Sequence, residues 1–104
     1  MLEALKQLFG MGPHIEFGKL LKEGAIIVDV RSKAEFATGH IKGSINIPVD
    51  QLRNNLNKLK DKNRVIITCC ASGLRSASAK TLLKANGYIN VYNGGGWSSL
   101  QGKL

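Results

Sequence analysis

Cysteine, proline, aromatic side chains and acidic charge are all scarce in this chain of 104 residues, and each shortage excludes something. The two cysteines are neighbours, Cys69 and Cys70, so no disulfide framework can staple distant segments together. A bond between them would be strained and would close no useful loop. With no Cys-x-x-Cys, and only His14 and His40 besides, a structural zinc site lacks its ligands. A cysteine held reduced, with neither metal nor disulfide to serve, either fills the core or does chemistry. The longest strictly apolar run, Ala25 to Val28, is far short of the ~20 residues that a membrane span needs. The opening MLEALKQLFGMG is amphipathic and has no small-residue cleavage site of the secretory kind, so the expected location is the cytoplasm.

Acidic residues number 7 against 15 basic ones, a formal charge of +8. Such an excess draws anions of any size, an acidic protein partner included. The lysines are scattered, however, and the densest group (Lys58, Lys60, Lys62, Arg64) falls where a helix should hand over to a strand. One Trp, two Tyr and three Phe give no interleaving of rings with cations, so neither nucleic acid nor membrane is expected as a partner.

What is present is one domain's worth of alternating pattern. Domains commonly run ~100–150 residues, which leaves room for one and suggests a small monomer. The expected core covers roughly 16–100, with residues 1–12 as a short amphipathic extension. Ala25–Val30, Val65–Cys69 and Ile89–Asn93 are β-rich, and Ser44–Ile47 is a shorter fourth run. Apolar residues on both alternating positions fit strands covered on both faces, as in parallel sheets. Helical spacing lies between them, at Ile15–Leu21, Val49–Leu59 and Arg75–Ala85. The economical architecture is a small α/β domain, mostly parallel, with helices on both faces. Ligands in such sheets bind beyond the carboxyl ends of strands.

At one such end stand Cys70-Ala71-Ser72-Gly73-Leu74-Arg75-Ser76, followed by a helix. The glycine lets the backbone curl into a nest of inward N–H groups, and the helix's first turn adds its own free amides. A thiol at the bottom of that cup is expected to ionise easily and act as a nucleophile.

These residues resemble the rhodanese (sulfurtransferase) family. Cys70 to Ser76 reproduces its Cys-x-x-Gly-x-Arg-Ser pattern. Asp29-Val30-Arg31, Glu35-Phe36, Gly39-His40-Ile41, Gly43 to Pro48 and Gly95-Gly96-Trp97 stand in family order. The resemblance implies a sheet of about five strands, no metal or organic cofactor, and Cys70 as the residue that forms a persulfide. The sulfur would come from an anionic donor such as thiosulfate and leave to a thiol, or to cyanide in the laboratory. The amides of Ala71, Ser72, Gly73, Leu74 and Arg75 would cradle its charge. Cys69, one residue along the strand, faces the other way and is expected in the core.

Four residues separate Cys70 from Arg75, whereas phosphatases of related fold have five, so the ring suits a sulfur atom better than a phosphate. Phosphatase or arsenate reductase activity is disfavoured accordingly. A non-turnover sulfur carrier or binding module is the other reading. Ala71 stands where many relatives carry a cation, which implies weak affinity for thiosulfate. Asp29, in an otherwise apolar strand, needs a partner. Arg75 either meets the substrate anion or pairs with Asp29 or Glu35, the ion pair being favoured, and Arg31 fits either part. His40 reads as a capping or packing residue rather than a base. The glycines at 94–96 read as room for backbone to pass beneath the loop. Trp97 and Leu100 read as packing residues of a last short helix.

Overall fold

The computed structural model describes residues 14–104; the amphipathic extension expected at 1–12 lies outside them. In chain order the elements are α1 (Phe17–Lys22), β1 (Ile26–Asp29), α2 (Lys33–Thr38), β2 (Ile45–Asn46), α3 (Val49–Leu52), a 3-10 helix (Arg53–Lys58), β3 (Ile66–Cys70), α4 (Leu74–Ala85), β4 (Val91–Gly96) and α5 (Trp97–Gln101). The strands form a parallel sheet in the order β2-β1-β3-β4. The described residues contribute four strands to the small parallel sheet, in keeping with the expected sheet of about five.

Alternation along the strands divides the core into two layers. Val28, Ile66 and Cys70 face one side, where Leu52, Ala79, Leu83 and Tyr88 cover them. Ile27, Ile67 and Cys69 face the other, against Phe17, Ile41 and Leu100. Helices therefore cover both faces, and Cys69 and Cys70 belong to opposite layers. No helix among the described residues is long and apolar enough to cross a membrane.

Two local readings of the sequence are corrected. The run Val49–Leu59 does not form one helix: four α-helical residues give way to the 3-10 segment, with Asn55 at φ −127°. Asn54 and Asn55 are poor helix formers, and the Asn55 amide donates to Gln51 O at 2.7 Å, a local bond that competes with the helix ladder. The last strand starts later than Ile89, which is 64% exposed, and runs on through the glycines to Gly96. A helix absent from the periodicity, α2, is fixed by its cap instead. Ser32 Oγ accepts from the Glu35 amide at 3.2 Å while Glu35 Oε1 accepts from the Ser32 amide at 3.0 Å, a reciprocal capping box.

The chain leaves β1 toward β2 on one side and returns to place β3 on the other. This reversal opens a crevice at the carboxyl ends of β1 and β3, where α/β sheets take their ligands. Asp29-Val30-Arg31 ends one strand there, and Cys70 ends the other.

Candidate active site

Cys70 is the last residue of β3, and the three residues after it turn the chain into α4. Gly73, at φ +100°, is the left-handed residue on which that turn depends. A side chain at Gly73 would also press on Gly95 Cα at 3.3 Å, and one at Gly96 would strike the Ala71 carbonyl at 2.9 Å. The glycines of β4 thus let the loop lie flat on the strand, as their sequence position implies.

Within the turn the sulfur is ringed by donors. The Gly73 amide donates to Cys70 Sγ at 3.0 Å and the Ser76 amide at 3.4 Å. Ser76 Oγ stands 3.5 Å from the same sulfur. Burial pushes the Cys70 thiol up, but the Ser76 hydroxyl and the amides of Ser76, Gly73 and Ser72 outweigh it, and the net displacement is downward. Among the described residues none gives Cys69 such a donor. Burial, with the Asp29 charge behind it, raises its thiol to about 12. One neighbour is disposed to ionise and the other is inert.

Two expectations change here. Cys70 has no exposed surface, so the cup is closed over its sulfur rather than open to solvent. A loop this short, drawn in by hydrogen bonds and floored by glycines, fills itself with the thiol. Among the expected cradle residues, Ser72 and Gly73 turn amides to the sulfur, while no hydrogen bond from the amides of Ala71, Leu74 or Arg75 reaches it. The helix begins at Leu74, whose side chain is 78% exposed, and its third amide, that of Ser76, is the one that comes round.

The ion pairs sort by depth. Arg31 and Asp29 are both buried. Arg31 Nη2 donates to Asp29 Oδ2 at 2.8 Å, and Nε reaches Oδ1 at 3.0 Å. The same guanidinium donates to Gly39 O at 2.7 Å and Glu35 O at 3.3 Å, and it lies 4.6 Å from the Trp97 ring centre. It therefore ties α2 to the end of β1. From α2, Glu35 reaches Arg75 in a two-pronged pair at 2.7 and 2.9 Å. Asp29 is accordingly the partner of Arg31 and not of Arg75, and Arg75 is braced by Glu35 at the start of α4. His40 stacks on Phe36 at 3.7 Å between ring centres, a packing role. A cleft of about 440 Å³, bordered by Val30, Ser32, Lys33, Asp50, Gln51 and Arg75, opens beside this pair.

Ser76 and Asn93 join the site beyond the residues expected from the sequence. Ser76 stands in the motif itself, so its hydroxyl was within reach of the pattern. Asn93 carries no comparable signal beyond its place near the carboxyl end of a strand.

The sequence profile of the rhodanese-like domain family matches residues 14–103. Over 78 residues the chain is 37% identical to the tRNA uridine(34) hydroxylase of Buchnera aphidicola, covering 70% of this chain and 25% of that protein. It thus spans about a quarter of that relative's length. Over 70 residues it is 34% identical to the thiosulfate sulfurtransferase PspE of Escherichia coli, covering 66% of this chain and 67% of that one. The solved rhodanese-like domain protein of Staphylococcus aureus superposes with a TM-score of 0.71 at 38% identity, covering 83% of this chain and 84% of that one.

The two ion pairs differ in what their loss should cost. Arg31→Leu should destabilise the domain by about 3–5 kcal/mol in denaturant unfolding, because it strands a buried carboxylate. Arg75→Leu, whose pair is more than a third exposed, should cost far less. Glu35 is held down to about 2 by the Arg75 guanidinium, and further by the Ser32 amide, against an ordinary value of 4.5. A depressed carboxylate adds stability above the unfolded value and loses it as pH falls toward the folded one. Glu35→Gln should therefore flatten the stability profile between pH 4.5 and about 2, read by thermal unfolding across that window.

Proposed function

The chain belongs to the rhodanese-like domain family, and on that footing we propose that it transfers sulfane sulfur through a persulfide on Cys70. The observation that carries this reading is the ring of donors on one sulfur. Gly73 and Ser76 amides at 3.0 and 3.4 Å favour a thiolate where its buried neighbour is driven the other way.

In the first half-reaction the Cys70 thiolate attacks the outer sulfur of a donor such as thiosulfate. The sulfur–sulfur bond of the donor breaks, sulfite leaves with the electron pair, and Cys70 carries a persulfide. In the second, an acceptor thiolate, or cyanide in the laboratory, attacks that outer sulfur, and Cys70 departs as thiolate again. Amides fixed toward the sulfur before reaction favour the anion without reorganisation, the physics of an oxyanion hole. The loop amides not engaged by the thiol, those of Ala71, Leu74 and Arg75, are the ones a larger persulfide would take up. Four residues between Cys70 and Arg75, and a guanidinium already committed to Glu35, argue against phosphoryl transfer.

The complete burial of Cys70 favours one further reading. A protein persulfide whose docking opens the loop would load the thiol better than a small anion, and the domain would then serve as a sulfur carrier in a reducing compartment such as the cytoplasm. An acidic donor or acceptor protein suits the basic chain, which would act as a monomer.

Intact mass after incubation with thiosulfate tests the proposal. The expected result is a gain of one sulfur atom that dithiothreitol reverses and Cys70→Ser abolishes. Loading should need donor well above the low micromolar range, since Ala71 supplies no cation. A gain that survives in Cys70→Ser but vanishes in Cys69→Ser would contradict the assignment.

A further inference from the structure

Asn93 lies in β4, outside the loop that carries Cys70, yet its whole side-chain amide is engaged there. Its Nδ2 donates to the Gly73 carbonyl at 3.2 Å. Its Oδ1 accepts from the Ser76 hydroxyl at 2.6 Å and from the Gly95 amide at 2.9 Å. The two loop residues it grips, Gly73 and Ser76, both bring their amides within hydrogen-bond distance of the Cys70 sulfur.

We infer that Asn93 is a positioning residue for the Cys70 site, orienting the Gly73 peptide and holding the Ser76 hydroxyl where both can serve a sulfur anion. The inference rests on the sulfur-transfer reading of Cys70 and adds to it a residue outside the family's loop pattern.

The protons of this cluster can follow the charge on sulfur. Ser76 has one hydroxyl proton and two oxygen acceptors in reach, Asn93 Oδ1 and Gly73 O, the latter at 3.0 Å. While Cys70 is a thiol, its S–H points to Ser76 Oγ and the hydroxyl proton goes to Asn93. When the thiol loses its proton to solvent, the hydroxyl turns and donates to the sulfur. No acceptor is orphaned by that turn. Asn93 Oδ1 keeps the Gly95 amide, and Gly73 O keeps Asn93 Nδ2 together with the Ala77 amide at 3.1 Å. The same rotation would attend the transfer step, when the bond from Sγ to the outer sulfur breaks and Sγ departs with the electron pair. Without Asn93 the hydroxyl and the Gly73 carbonyl lose their common anchor, and the donors on the sulfur lose their fixed aim.

The test is the pH dependence of Cys70 alkylation by iodoacetamide in the full chain, with the modified residue identified by peptide mass. Asn93→Ala should raise the midpoint by about one pH unit, which slows alkylation about tenfold at pH values below both midpoints. Asn93→Asp, equal in size, should raise it further, since it removes the donor to Gly73 O and brings a negative charge toward the sulfur. Circular dichroism should show both variants folded. An unchanged or lowered midpoint in either folded variant overturns the inference. So does loss of fold in both, because a positioning residue leaves the scaffold intact. A wild-type midpoint at or above the ordinary thiol value of 9.0 would instead remove the sulfur-transfer reading itself, and the two failures are distinguishable.

Discussion

A buried sulfur can hold negative charge when fixed dipoles stand in for the water it has lost. In this domain the dipoles come from the backbone: the Gly73 and Ser76 amides meet Cys70 Sγ at 3.0 and 3.4 Å, with the Ser76 hydroxyl beside them. Their aim depends on Gly73 adopting a left-handed turn, on glycines in β4 that admit the loop, and on a helix that begins at Leu74. Remove any of these and the residue becomes what Cys69 already is, a desolvated thiol in a core.

The rest of the fold holds that geometry in place. The reversal of strand order sets the end of β3 beside the end of β1, where the buried Arg31–Asp29 pair is fully hydrogen-bonded. Through Gly39 O and Glu35 O the Arg31 guanidinium fastens α2, and Glu35 then reaches across to Arg75 on α4. The two arginines that frame the crevice are thus occupied by carboxylates. Asn93 does from β4 what Glu35 does from α2, but at the opposite side of the loop.

Much of this could be read from the residues, and the limits have physical causes. Two-faced apolar runs marked the strands because a parallel sheet is buried on both sides, and the alternation that separates Cys69 from Cys70 is a property of any strand. The thiol, its glycine and its helix lie in one short stretch, so local pattern sufficed for them. Helix α2 escaped because six residues offer too little period; its signal was the Ser32–Glu35 cap. The break after Leu52 turned on Asn54 and Asn55 against an otherwise regular apolar stripe. Asn93 and the closure over Cys70 depend on how β4 and the loop meet in space, and no spacing along the chain encodes that contact.

The most direct measurement is the ultraviolet absorbance of the thiolate in the Cys69→Ala protein, taken as the difference from a Cys69→Ala/Cys70→Ala control that carries the same tyrosines. If the amide ring governs this sulfur, the midpoint falls below the ordinary thiol value of 9.0 and moves above it in a Gly73→Val variant, which cannot hold the turn. A midpoint at or above 9.0 in the Cys69→Ala protein would show that burial wins at Cys70 as it does at Cys69, and would contradict the account.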